Sequence, residues 1–147
     1  MTLSNLLKTG QLKEHKPSST EIKQLLAAAA RNLQDSGASN ISPENRFDAA
    51  YKATLQSALI ALMANGFIPD KKTPGHHAVT LQSLPKTIGI TSERVTVLDV
   101  LRRKRNLADY TGEDIDEGSV EECRAEAAKL LAEVTDWVRK NRPDLVV

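Results

Sequence analysis

Disulfides, stacked aromatic rings, an excess of charge and long apolar runs are all scarce in this sequence. Of its 147 residues one, Cys123, is cysteine, so no disulfide can close within the chain. The aromatics are two Phe, two Tyr and one Trp (Phe47, Phe67, Tyr51, Tyr110, Trp137), too few for the array of exposed rings on which single-strand-binding surfaces stack bases. Twenty Lys and Arg nearly cancel 19 Asp and Glu, leaving a formal net charge of +1. That balance disfavours a basic nucleic-acid coat protein, an acidic tail and a charge-driven disordered chain. The longest mostly apolar run, Ala58 to Ala64, falls far short of the roughly 20 residues needed to cross a bilayer. Polar Ser4 and Asn5 and the break at Gly10 deny the first residues the apolar stretch of a signal peptide. A cytoplasmic protein with no membrane partner is the expectation.

Forty per cent of the residues are apolar, enough for a core built chiefly from Leu and Ala. Leu3, Leu6 and Leu7 have helical spacing, but Gly10 and Lys16-Pro17 break it, so residues 1–17 read as an extension with at most one short helix, packing loosely. Ser18 with Glu21 forms a capping-box pattern, and Ile22, Leu25, Leu26, Ala29 and Leu33 then line one face of a helix over 19–35, ended by Gly37. Ser42-Pro43 opens a long Ala-rich helix to Ala64: serine accepts a backbone N–H bond at the cap, and proline's missing donor costs nothing at the first position. Phe47, Tyr51, Leu55, Ala58, Leu59 and Leu62 form its apolar stripe.

Residues 67–75, with Pro69, Pro74 and Gly75, read as a loop, and 75–84 as a short helix ended by Pro85. Ser92 caps a further helix to about Asp109, and Ser119 with Glu122 opens a last helix reaching Asn141, before Pro143. Strand-type alternation and a fixed internal period are both lacking. The expected fold class is all-α, an antiparallel bundle of four to five helices spanning 18–142, with 143–147 as a tail.

The sharpest local feature is the basic run Arg102-Arg103-Lys104-Arg105, followed by Asn106-Leu107-Ala108-Asp109-Tyr110. One reading is electrostatic, since cations are favourable near a helix C-terminus and Asp109 lies one turn from Arg105. The other is a binding site. Leu98, Leu101 and Arg105 share a helical face, which sets Arg105 at the edge of the core. A guanidinium there, always charged and with five donors in a planar fork, suits a carboxylate or a phosphate.

Taken with the helix order and the stretch Arg46-Phe47-Asp48-Ala49-Ala50-Tyr51, the segment from Arg105 to Tyr110 resembles the HEPN superfamily, small helical domains of prokaryotic toxin-antitoxin and phage-defence systems. The resemblance covers roughly 19–140. It implies a homodimer acting on RNA or a nucleotide, a cognate antitoxin or nucleotidyltransferase as partner, and, in the ribonuclease members, metal-independent cleavage by paired Arg and His residues. Arg105 and Asn106 match that motif. Where its His would fall stands Tyr110, and no His follows Arg105. Tyrosine, with an ordinary pKa of about 10, exchanges protons poorly at neutral pH. The resemblance therefore implies a noncatalytic RNA-, nucleotide- or partner-binding module, or alternatively an endoribonuclease with Arg105, Asn106 and Tyr110 as a variant catalytic set. Arg102, Arg103, Asp109, Arg46 and Asp48 are the accompanying binding candidates.

For Arg46, Asp48 and Tyr51 there is also a plainer reading, a core aromatic pair with Asp48 and Lys52 ion-paired on the surface. The functional one has Arg46 or Asp48 reaching across to orient Arg105. Adjacent His76 and His77 point about 100 degrees apart on a helix, a poor start for a metal site, and read as polar helix-start residues. A catalytic role for either would require their segment to fold over Arg105. Cys123 lies on an apolar stripe and reads as a small buried hydrophobe. With no Gly-rich phosphate loop or dinucleotide fingerprint, no cofactor is expected. Finally, the cations of 102–105 are followed by seven acidic groups between Asp109 and Glu122, a split able to make a two-fold dimer self-complementary.

Overall fold

The computed structural model describes residues 2–147. Helices α1 (Leu3–Lys8), α2 (Ser19–Asp35), α3 (Pro43–Ala64), α4 (His76–Gln82), α5 (Leu84–Thr87), α6 (Ser92–Thr111) and α7 (Glu117–Asn141) form a helical bundle. Strands β1 (Leu12–Glu14) and β2 (Phe67–Pro69) and a 3-10 turn at Pro143–Leu145 complete it. The protein is thus all-α apart from one small ladder.

The capping signals act as their chemistry dictates. Ser18 Oγ accepts from the Glu21 N–H while Glu21 Oε1 accepts from the Ser18 N–H, closing the capping box of α2. Ser42 caps α3 with Pro43 in the first turn. At the far end Asn65 Nδ2 and Arg142 Nη1 each donate at 2.8 Å to a last-turn carbonyl, of Ala61 and Ala64 respectively.

The core centres on α3, which packs along both α2 and α7. Alanines 50, 53, 58, 61 and 64 are buried on it and let neighbouring backbones approach closely. Its buried hydroxyls stay satisfied within the helix, Thr54 donating to the Ala50 carbonyl and Ser57 to that of Ala53. From α7, Val120, Cys123, Leu130, Val134 and Val138 close the core, and Leu98 and Leu101 anchor α6.

Several sequence expectations are corrected. Residues 2–17 do not pack loosely: Leu6 and Leu12 are buried in a cluster with Leu62 and Val79. Part of the expected 67–75 loop is strand, because Leu12 and Glu14 pair antiparallel with Pro69 and Phe67. Pro85 begins the short α5 rather than ending a helix, its missing donor being harmless in a first turn. The cap of α6 is Thr91, and that of α7 is Asp116, which accepts from the Ser119 N–H and leaves Ser119 buried in the first turn. Helix α6 also runs past Asp109 to Thr111, where Gly112 at φ 72° turns the chain and bonds back to the Ala108 carbonyl.

Candidate functional site

Helix α6 carries Arg105 toward α3 because Leu98 and Leu101, on the same face, are buried. On α3, Asp48 and Tyr51 stand one turn apart and meet it. Arg105 Nε donates to Asp48 Oδ1 at 2.6 Å, with Asp109 Oδ2 at 3.6 Å. The guanidinium carbon lies 5.2 Å from the centre of the Tyr51 ring, a cation–π distance. Burial works against the charge on Arg105, but the Asp48 hydrogen bond and the Asp48 and Asp109 charges outweigh it and hold its pKa above the ordinary value. Its two terminal nitrogens have no hydrogen-bond acceptor among the described residues. A clamped Nε and two unclaimed donors make a fork that can grip an anion.

Tyr51 is buried, and its hydroxyl has no hydrogen-bond partner among the described residues. Burial pushes its pKa up to about 12, against the pull of Arg105 and Arg102, so it stays a protonated donor. Helix α4 brings a third group. The His77 ring lies 6.4 Å from that of Tyr51, and the His76 ring packs edge-on at 4.5 Å from His77. Burial, then the charges of His76, Arg105 and Arg102, keeps the His77 pKa below its ordinary 6.5. His77 is therefore a neutral imidazole at pH 7, near enough to Arg105 to feel its charge. The α4 segment does fold toward the arginine; among the described residues no three His, Cys, Asp or Glu groups converge.

The other site candidates separate. Tyr110 lies five positions beyond Arg105, about 140 degrees round the helix, and is 90% exposed. Asn106 is half-buried and makes no side-chain hydrogen bond among the described residues. The proposed trio of Arg105, Asn106 and Tyr110 is not brought to one point. Arg46 does not approach Arg105: its Nε donates to the Ser36 carbonyl at 2.9 Å, and its terminal nitrogens pair with Glu117 at 2.9 Å and Glu121 at 3.4 Å. Asp48 pairs with Arg105 instead of Lys52, so of the two reaching candidates only Asp48 reaches.

The rest of the basic run is also paired. Arg102 and Arg103 share Asp99 at 2.8 and 3.0 Å, and Lys104 meets Ser119 and Asp116. Together with Arg46 and Arg124, Lys104 engages acids of the 116–121 segment within the chain. The expected meeting of basic turn and acidic segment is therefore intramolecular in part. Cys123 is buried, and burial, then Glu122, Glu126 and Asp48, pushes its thiol up to about 12, which suits a hydrophobe and not a nucleophile.

The sequence reading left Tyr51 and His77 out of the binding set, taking Tyr51 for a core aromatic and His77 for a helix-start residue that would matter only if its segment folded over Arg105. The signal for Tyr51 was its place one turn after Asp48. For His77 there was none, because α4 reaches the site through tertiary packing alone. In comparisons with known proteins, the chain matches no family model and no curated protein.

Proposed function

We propose that this chain is a HEPN-like, noncatalytic module of a toxin-antitoxin or defence system that binds a phosphate group of RNA or a nucleotide through Arg105. The observation that carries the reading is the clamped guanidinium: Asp48 holds Nε at 2.6 Å, Tyr51 backs the plane, and two terminal nitrogens remain for a ligand. The two stretches on which the resemblance rests, 46–51 and 105–110, meet at this contact. A homodimer is part of the proposal. Val100, Leu107 and Tyr110 recur at i, i+7 and i+10 on the outer face of α6 and are at least half exposed, at 56%, 50% and 90%. Apolar groups left out on one helix face supply a self-complementary contact, which gives Tyr110 a role apart from catalysis.

Binding of a fluorescent single-stranded RNA, followed by anisotropy from 50 to 200 mM salt, tests it. The expected result is salt-dependent binding that Arg105→Ala weakens, reducing the slope of log K against log salt by about 0.7, the value for one phosphate contact. Absence of binding, or binding indifferent to Arg105, would contradict it.

One observation favours a second reading, a metal-independent endoribonuclease. His77 brings a neutral imidazole close to Arg105, the pairing of proton acceptor and phosphate holder such cleavage needs. Cleavage of RNA without added metal, abolished by His77→Ala, would establish it over the first.

A further inference from the structure

Between α2 and the segment 68–80, with α3 as its floor, lies a cleft of about 800 Å³, within the range of small-molecule sites. Leu55, Leu59 and Met63 run along the floor one turn apart, over about 12 Å of helix. Leu25 from α2 and Ile68 from β2 flank them. Leu25, Leu55, Leu59 and Ile68 are only half-buried, so apolar surface is left open to the cleft. Charge is distributed unevenly around it. Asn32 Nδ2 donates to Gln56 Oε1 at 2.9 Å, which sets the neighbouring Arg31 at the Leu55 end of the floor. Ten residues earlier on α2, about 15 Å away, Glu21 lies at the Met63 end beside His15, whose backbone N–H bonds to the Gly66 carbonyl just past α3. There Glu21, the one acid on the cleft among the described residues, is engaged by His15 at 3.0 Å and by the Ser18 N–H. Arg31 and Lys71 enter no ion pair among the described residues.

We infer that this cleft is a binding site, separate from Arg105, for a monocarboxylic acid with a medium-length alkyl chain, the chain lying on Leu55, Leu59 and Met63 and the carboxylate turned toward Arg31 and Lys71. Unmatched positive charge beside an apolar floor calls for a ligand that is anionic at one end and apolar along its body. The guanidinium of Arg31 presents a planar fork that holds a carboxylate bidentately. A floor of about 12 Å takes roughly an eight- to ten-carbon chain with its bonds of about 1.5 Å zigzagged. That floor is aliphatic throughout, which suits an alkyl chain better than a base that stacks on rings. A protein partner needs about 800 Å² of accessible surface on each side, whereas the large apolar side chains here are recessed, none being among the exposed ones.

Titration calorimetry of the full chain with decanoate, octanoate, acetate, decanol and decyltrimethylammonium tests the inference. Decanoate is expected to saturate one site, about tenfold more tightly than octanoate, which is two methylenes shorter, and acetate not to bind. Decanol and decyltrimethylammonium should bind about tenfold or more weakly than decanoate, the difference a hydrogen bond to a charged group supplies. Arg31 and Lys71 are exposed, so the double variant Arg31→Gln, Lys71→Gln keeps the fold; it should weaken decanoate about tenfold and leave decanol unchanged. The cleft-filling Ala28→Phe should abolish binding of both, and Arg105→Ala should alter neither. If Ala28→Phe fails to fold, as its thermal melt will show, the Met63 methyl signal of the wild type, assigned with Met63→Leu, locates the ligand by moving in step with decanoate occupancy. Absence of saturable decanoate binding would overturn the inference, as would an unmoved Met63 signal during saturation. Decanol binding as tightly as decanoate, or decanoate binding indifferent to the double variant, would overturn the assignment of a carboxylate. Loss of decanoate binding in Arg105→Ala would overturn the separation of the two sites. Displacement of decanoate by AMP, with the Met63 signal moved by AMP alone, would make the occupant a nucleotide and overturn the assignment of an alkyl chain.

Discussion

The contact between Asp48 and Arg105 can be measured by a double-mutant cycle of Asp48→Asn, Arg105→Gln and the double variant. The pair meets at 2.6 Å with the two side chains 36% and 26% exposed. Unit charges about 4 Å apart attract by about 1 kcal/mol in water and about 4 kcal/mol at an effective dielectric of 20. Exposure of about a third on each side puts the pair toward the lower figure, and fixing two side chains costs entropy. Tyr51, by backing the guanidinium, reduces that cost. The expected coupling is about 1 kcal/mol, and each single variant should lower the melting temperature by about 2–4 °C. Urea unfolding of the four proteins at pH 7, with equal m values, measures it. A coupling within about 0.3 kcal/mol of zero would refute the claim that Asp48 holds Arg105. Anion affinity supplies an independent sign. Removing the Asp48 charge alone would raise affinity for a phosphate, so a fall in Asp48→Asn reports lost positioning.

Other consequences follow from the same structure. Arg94, 17% exposed, faces Glu133 at 2.6 Å and Glu126 at 3.6 Å between α6 and α7; Arg94→Met leaves two carboxylates uncompensated and should cost about 2–3 kcal/mol in urea unfolding, a loss below about 0.5 kcal/mol being contrary to this account. Leu12, 1% exposed, ties the first strand to the core; Leu12→Ala should cost about 2–4 kcal/mol, and an unchanged midpoint would show the N-terminal segment to be dispensable. His77, whose folded pKa lies below 6.5, binds fewer protons folded than unfolded. Stability is therefore expected to fall as pH drops from about 6.5 toward the folded pKa and to level off below it; His77→Gln should flatten that part of the urea midpoint profile, and an identical profile would count against the burial of His77.

Much of the fold was legible because local chemistry specifies it. Ser18 with Glu21 and Ser42 with Pro43 mark helix starts that the structure retains. The ladder of β1 and β2 was not, since three residues per strand are too few to show alternation and the partners lie over fifty positions apart. Asp116 displaced Ser119 as a cap because a carboxylate at that position accepts from the Ser119 N–H and hydroxyl together, at 3.1 and 2.6 Å. At the site, helical phase placed Arg105 at the edge of the core, but the phase of α3 left Asp48 free to choose Lys52 or Arg105. Only the packing of α6 on α3 decides between them. Tyr51 was read as core and is core; that its ring also backs a cation depends on the same packing. His77 arrives from α4, whose two histidines look in sequence like any polar helix start.

The central claim is that Arg105 is the anion holder, and its own side chain can report. In a ¹H–¹⁵N spectrum of the full chain the arginine Nε–H signals are observed directly and assigned by substitution. On titration with AMP the Arg105 signal is expected to move in step with occupancy, while those of Arg46 and Arg94, committed to Glu117 and Glu133, stay in place. Movement of Arg46 or Arg94 with an unmoved Arg105 signal would contradict the account.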